Sequence, residues 1–188
     1  LLWVEKYRPT TFDDYVWRDE NMKLKAKEWV EQGAIPHLML SGKSGLGKTS
    51  LAKLLLKSVG VPQSDILEIN ASRYRKIDEM QDKILGFIST FPEIDNENQI
   101  KYVLLEEADS MSRLSYRFLR AELERNVDHV RFIFTCNYVE KIEPTIVSRC
   151  QSFHFEALDQ EEFVTRLVSI LDQESVDYTV ETVIDYID

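Results

Sequence analysis

Cysteine is scarce in this chain of 188 residues, which has only Cys136 and Cys150. A disulfide-stapled secreted domain would carry more, so the expectation is a cytosolic protein with two reduced, buried thiols. Three scattered histidines and those two cysteines give no metal-ligand spacing. No run of about 18 apolar residues is present, so no membrane-spanning helix is expected. Leu1-Leu2-Trp3-Val4-Glu5-Lys6 lacks the charged start and apolar core of a signal peptide. Internal repeats and low-complexity segments are absent too. What the chain does have is 44% hydrophobic and 30% charged residues, enough for a core and unlike a disordered sequence. The length suits one full domain and part of a second.

The formal net charge is −10, which at first argues against nucleic acid as a partner. Its distribution changes that reading. Of 33 acidic and 23 basic residues, ten acidic and one basic (Arg166) fall in Glu156–Asp188, leaving 23 and 22 elsewhere. Residues 1–155 are therefore close to neutral and can carry a local basic surface, which is what a phosphate backbone feels. The shift near Glu156 also suggests a domain boundary.

Gly42-Lys43-Ser44-Gly45-Leu46-Gly47-Lys48-Thr49 matches G-x-x-x-x-G-K-[ST]. An apolar run at His37–Ser41 before it reads as a buried strand, and an amphipathic run to about Val59 after it reads as a helix. Glycines let successive backbone N–H groups point at phosphate oxygens, and the helix N-terminus adds partial positive charge. Lys48 is placed to reach the β- and γ-phosphates and Thr49 to offer its hydroxyl to Mg²⁺. Further strands are expected at Ile66–Asn70, Ile100–Leu105, Val130–Thr135 and Ser152–Phe155. Helices are expected at Glu20–Gln32, Ile77–Ser89, Ser112–Arg125, Gln160–Leu171 (with Asp159 and Glu162 as a capping pair) and from about Val180 onward. Residues 1–20 read as irregular. Alternating strands and helices predict an α/β fold with a parallel sheet covered on both sides.

Glu106-Glu107-Ala108-Asp109 follows the third strand. In phosphate-loop ATPases an acid here holds Mg²⁺ and its neighbour polarises the attacking water, so Glu106 is the metal-side acid and Glu107 the candidate base. The plainer alternative is a strand emerging into solvent. Asn137 follows the fourth strand. It either helps place the attacking water or caps a turn. Arg149 is either a salt-bridged surface residue or a finger that completes a neighbouring subunit's site. Arg113, Arg117 and Arg120 share one helix face, with Leu114, Phe118 and Ala121 as the adjoining apolar face. Arg73, Arg75 and Lys76 form a second basic group. Both groups read as solvated faces or as contacts to a phosphate backbone.

Together these residues resemble the clamp-loader AAA+ ATPases, specifically the small subunits of replication factor C and their phage equivalents. The resemblance rests on Trp3-Val4-Glu5-Lys6-Tyr7-Arg8-Pro9, Pro36-His37, the phosphate loop, Asn70-Ala71-Ser72, Glu106 to Met111, Phe118-Leu119-Arg120, Arg131-Phe132-Ile133, Cys136-Asn137 and Ser148-Arg149-Cys150. It covers about residues 1–170. It implies a RecA-like domain over residues 1–156 with a five-stranded parallel sheet, and the start of a helical lid over 157–188. It also implies an ATP-hydrolysing subunit of a pentameric spiral. That assembly would open a ring-shaped sliding clamp and load it on primer–template DNA, inside the cell at replication forks. ATP and Mg²⁺ would be the cofactors. Val4, Glu5, Lys6, Tyr7, Arg8 and Pro9 would wrap the adenine, with Val16. Ser44, Gly45, Leu46, Gly47, Lys48, Thr49 and Ser50 would hold the phosphates, and Thr49 and Glu106 the metal. Glu107, Asn137, Lys48 and, in trans, Arg149 would act in hydrolysis. Arg73, Arg75, Lys76, Arg113 and Arg117 would contact DNA.

Three departures stand out. Glu106 replaces the usual Asp and Tyr116 the usual Gln, and Arg73-Tyr74-Arg75-Lys76 replaces the usual Asp-Asp-Arg-Gly. They point toward a viral relative. The sequence stops before the lid's sensor arginine and the collar, and reads as a piece of a longer protein. Two alternatives stay open. One is a subunit that binds nucleotide as a structural switch and hydrolyses it poorly. The other is a different DNA-remodelling ATPase of the same superfamily.

Overall fold

The structure, a computed structural model, describes residues 2–7, 9–12, 14–17, 19–74, 77–93, 99–156, 160–179 and 182, without the side chains of residues 4, 5 and 160–163. In chain order the elements are α1 (Trp3–Lys6), α2 (Glu20–Gln32), β1 (Leu38–Gly42), α3 (Lys48–Ser58), β2 (Ile66–Asn70), α4 (Ile77–Ile88), β3 (Lys101–Glu106), α5 (Arg113–Arg125), β4 (Val130–Cys136), α6 (Pro144–Val147), β5 (Gln151–Phe155) and α7 (Gln160–Gln173). Single 3-10 turns occur at Gln63–Asp65, Ala71–Arg73, Ala108–Ser110 and Val139–Lys141. Cα packing separates two units, Pro9–Phe155 and a second made of Leu1–Arg8 with Glu156–Asp188.

The larger unit is built on a five-stranded sheet in the order β2-β3-β4-β1-β5, with every pairing parallel. Successive strand residues point to opposite faces, and here both faces are apolar. Leu38, Leu40, Tyr102, Leu104 and Ile133 pack with Ala26 and Trp29 of α2 and Leu51 and Leu55 of α3. Met39, Val103, Leu105, Phe132 and Phe134 pack with Met80 and Ile84 of α4, Leu119 and Leu123 of α5 and Ile146 of α6. The result is three layers, helix on sheet on helix, as a parallel sheet buried on both faces requires.

Local chemistry sets the ends. The Asp19 carboxylate accepts from Asn21 N at 2.8 Å and caps α2, and Gly33 ends that helix with φ 69°. Ser112 is the cap of α5 and not its first residue, because its hydroxyl accepts from Ser115 N at 3.2 Å.

Four expectations need correcting. Residues 1–20 are not wholly irregular, since Trp3–Lys6 is a helical turn. The apolar face of α5 is not Leu114, Phe118 and Ala121. Leu114 is 61% exposed, and the buried stripe runs through Tyr116, Leu119 and Leu123. The third strand begins at Lys101, a buried lysine whose Nζ donates to Phe87 O at 2.7 Å and Thr90 O at 3.2 Å, past the end of α4. Of the two thiols Cys136 is buried and Cys150 only half-buried. The capping pair Asp159 and Glu162 and the helix expected from Val180 lie outside the described residues or side chains.

Candidate functional site

The site grows from the carboxyl ends of β1, β3 and β4, which are neighbours in the sheet or one strand apart. In open parallel sheets these ends are where ligands bind. Gly42 leaves β1 with φ 138°, and a Cβ there would lie 2.3 Å from the Phe155 carbonyl oxygen, so no other residue fits against β5. Gly47 has φ 84° and is the residue before α3, which lets the loop turn directly into the helix. Tyr15 backs this turn, its hydroxyl 3.8 Å from where a Gly47 Cβ would be. Tyr15 also packs edge-on to Trp17 at 4.9 Å, and Trp17 meets Phe12 at 5.4 Å.

Lys48 is 8% exposed and folds back over the loop. Its Nζ donates to the carbonyls of Gly42 and Lys43, each at 2.7 Å, and to Asn137 Oδ1 at 3.2 Å. Burial holds its pKa below the ordinary lysine value, against the opposing pull of Cys136 and Asp109. Asn137 is itself fixed from the other side. Asp109 Oδ2 accepts from Asn137 N at 3.3 Å and Tyr138 N at 3.2 Å, so the turn after β3 is tied to the end of β4. Tyr116 of α5 donates its buried hydroxyl to Ala108 O at 2.8 Å, fixing the same turn from beneath.

The two acids differ. Glu106 ends β3, half-buried, with one oxygen 3.9 Å from Lys53 Nζ. Glu107 is exposed and left-handed, φ 55° and ψ 43°. It accepts from Asn70 Nδ2 at 3.0 Å, and Asn70 Oδ1 in turn accepts from the N–H and hydroxyl of Ser72 at 3.0 and 2.7 Å. Hydrogen bonds from Asn70 and Ser72 hold the Glu107 carboxyl below its usual range, so it stays ionised.

The structure thus brings together Lys48, Asn137 and the loop, and ties Asn137 to Asp109, two residues after Glu107, while Glu107 itself is held by Asn70. Asp109, Asn70 and Tyr15 are supports the sequence reading did not assign. Three aromatics within six residues, Phe12, Tyr15 and Trp17, were the available signal for the last of these. Arg149 is not part of the cluster. It precedes β5, whose first residue pairs with Leu38, the first of β1. It therefore sits at the opposite end of the sheet, a strand length of about 13 Å from the loop.

Pro9 and Val16 are half-buried in the larger unit. Lys6 Nζ and Tyr7 OH both donate to Glu174 Oε1, at 2.7 and 2.9 Å, within the smaller unit. Arg8 and the side chains of Val4 and Glu5 lie outside the described residues, as do Arg75 and Lys76. Arg73 is exposed on the turn after β2. Arg113 and Arg117 are exposed on α5, where with Lys141 they line an open cleft of about 600 Å³.

The donor set fits a nucleoside triphosphate. A positive-φ glycine loop opens a helix, a buried ammonium bonded among the described residues to carbonyl and amide oxygens stands ready for phosphate oxygens, and a threonine hydroxyl follows it.

Residues 38–157 match the model of the ATPase family associated with various cellular activities. Among curated proteins the chain is 38% identical to replication factor C subunit 3 of Blastobotrys adeninivorans, over 96% of this chain and 53% of that one. It is also 38% identical to the replication factor C small subunit of Methanococcus vannielii, over 93% and 55%. The chain spans about half the length of the curated relatives it matches. Among solved structures it is similar to the RuvB Holliday junction branch migration motor of Thermotoga maritima, with TM-score 0.67 and 18% identity over 88% of this chain and 55% of that one. At that identity the likeness speaks to fold alone.

Proposed function

The chain belongs to the ATPase family associated with various cellular activities, and from that premise we propose that it is the nucleotide-hydrolysing part of a clamp-loader subunit. It would work with sister subunits in a pentamer to open a sliding clamp and leave it on primer–template DNA, inside the cell where replication proceeds. The names of its relatives support the role. The observation that carries the chemistry is the Lys48–Asn137–Asp109 chain of hydrogen bonds, set beside Glu107 at the carboxyl ends of the strands.

In this reading the loop N–H groups of Ser44 to Ser50 and the Lys48 ammonium bind the phosphates, and Lys48 exchanges its carbonyl partners for phosphate oxygens. Pro9 and Val16 lie toward the base. Glu107, ionised and exposed, takes the proton from water as it attacks, and Asn137 orients that water. Thr49 and Glu106 would hold Mg²⁺, which would supply positive charge to the phosphates when bound. Arg149 faces away from its own loop, so its positive charge serves a neighbour's γ-phosphate. Arg73, Arg113 and Arg117 contact the DNA backbone. Residues 1–156 form the ATPase domain and 157–188 part of a lid.

The test is ATP turnover of the intact protein, assembled with partner subunits, clamp and primed DNA. Stimulation by clamp and DNA together is expected, and turnover indifferent to both would sink the reading. Arg149→Ala should abolish turnover in the complex while ATP still binds.

The position of Glu106 favours a second reading. One Glu106 carboxylate oxygen lies 3.9 Å from Lys53, whose ammonium is bonded to Glu68 at 2.6 Å. In this reading that ammonium competes with Mg²⁺ for the longer acid, and the subunit would bind ATP with slow hydrolysis. A gain in turnover on Glu106→Asp would support it. A loss of measurable turnover on Glu107→Gln would exclude it.

A further inference from the structure

Arg149 has a defined resting geometry. The backbone around it is wound tightly, with Ser148 N bonded to Pro144 O at 2.9 Å, Arg149 N to Ile146 O at 3.0 Å and Cys150 N to Val147 O at 3.1 Å. Its guanidinium is gripped at two points. Nη1 donates to Thr145 O at 2.7 Å, and Nη2 donates to Glu124 Oε1 at 2.5 Å. An arginine carries five N–H donors in a rigid planar fork. Two donors are engaged among the described residues, which leaves three for another ligand. The side chain is 38% exposed and that of Glu124 51%, so the fork is held in place and still open to solvent. An exposed ion pair of this kind adds little to folding stability. Its effect is on where the guanidinium points.

Glu124 belongs to the last turn of α5. The first turns of that helix carry Ser115, bonded to the Ser112 cap, and Tyr116, bonded to Ala108 next to Glu107. One stiff helix therefore reaches from the turn behind this chain's own acid to the arginine at the far end of the sheet.

We propose that Glu124 is a positioning residue for the arginine finger, holding the Arg149 guanidinium in the orientation in which it enters the neighbouring subunit's site. This rests on the reading of Arg149 as a finger acting in trans. Without Glu124 the long side chain keeps only its bond to Thr145 O and samples other rotamers, so a smaller fraction of encounters presents the fork correctly. The loss falls on the chemical step and not on binding of ATP, because in this reading the ATP is held by the neighbour's own phosphate loop and the finger acts on the charge that develops during hydrolysis.

The experiment compares Glu124→Ala, Glu124→Asp, Arg149→Ala and the Glu124→Ala/Arg149→Ala pair in the intact protein, assembled with its partner subunits, clamp and primed DNA. Glu124→Ala is expected to lower kcat by about ten- to a hundredfold with KM for ATP unchanged, the size of effect that a misplaced catalytic group produces. Glu124→Asp should recover part of the loss, and the double variant should be no slower than Arg149→Ala alone. Wild-type turnover in Glu124→Ala, with Arg149→Ala inactive, overturns the positioning role and leaves the finger standing. So does a raised kcat, which would make Glu124 a restraint, or an additive loss in the double variant. If Arg149→Ala itself turns over normally, the finger reading fails and the positioning role fails with it.

Discussion

His37, just ahead of β1, is 9% exposed, and its Nδ1 accepts a 3.0 Å hydrogen bond from the Phe132 N–H. Burial, aided by the charge of Arg131, lowers its pKa to about 4. In the unfolded chain an imidazole titrates near 6.5, so between those values the unfolded chain binds a proton that the folded one refuses. Stability should fall as pH falls through that window and level off below it. From pH 7 to pH 5 the loss should be about 2 kcal/mol greater for the wild type than for His37→Gln, which accepts the same bond without titrating. Equal losses in chemical-denaturation curves would count against this. At Lys48 the prediction concerns ligand. Lys48→Ala removes a charge-assisted bond worth about 1.5–3 kcal/mol, so nucleotide affinity by calorimetry should weaken about ten- to hundredfold. The place of Lys48 at the end of the loop was legible in the sequence because spacing alone defines the loop. The Asp109 and Asn70 supports were not, because their partners lie 28 and 37 residues away along the chain.

α5 shows what a helical pattern leaves open. Its sequence offers two adjacent apolar stripes, Leu114-Phe118-Ala121 and Tyr116-Leu119-Leu123, both at helical spacing. Only the position of the sheet decides which one is buried, and it buries the second. Leu119→Ala should therefore cost about 2–5 kcal/mol, and Leu114→Ala under about 0.5 kcal/mol, read from urea midpoints. Ser112→Ala, which removes the cap, should cost about 1 kcal/mol. Lys101 is a similar case. A charged residue at a strand start reads as the strand's edge. Here it is buried because the end of α4 brings the Phe87 and Thr90 carbonyls to its ammonium.

Across the whole molecule, charge is carried by region and not by total. If Arg113 and Arg117 touch a phosphate backbone, the Arg113→Ala/Arg117→Ala pair should weaken binding to primed duplex without changing sequence preference. The slope of log affinity against log salt should shrink in magnitude by about 2, measured by fluorescence anisotropy on the assembled complex. An unchanged slope would make that face merely solvated. No described helix is long and apolar enough to cross a membrane. Alternation of apolar runs with amphipathic ones, the glycine-lysine loop and the acidic strand end are local patterns, and they were enough to determine a parallel α/β sheet, its strands to within a residue or two, and a glycine-rich turn leading into a helix. Local patterns carry no information on which strands become neighbours. Only the tertiary structure decided the order β2-β3-β4-β1-β5, and with it two placements on which the proposed function rests. It brings Asn137 to Lys48 across 89 residues, because β4 lies against β1. It also sends Arg149 to the far end of the sheet, because parallel strands force the chain to travel back before β5 begins.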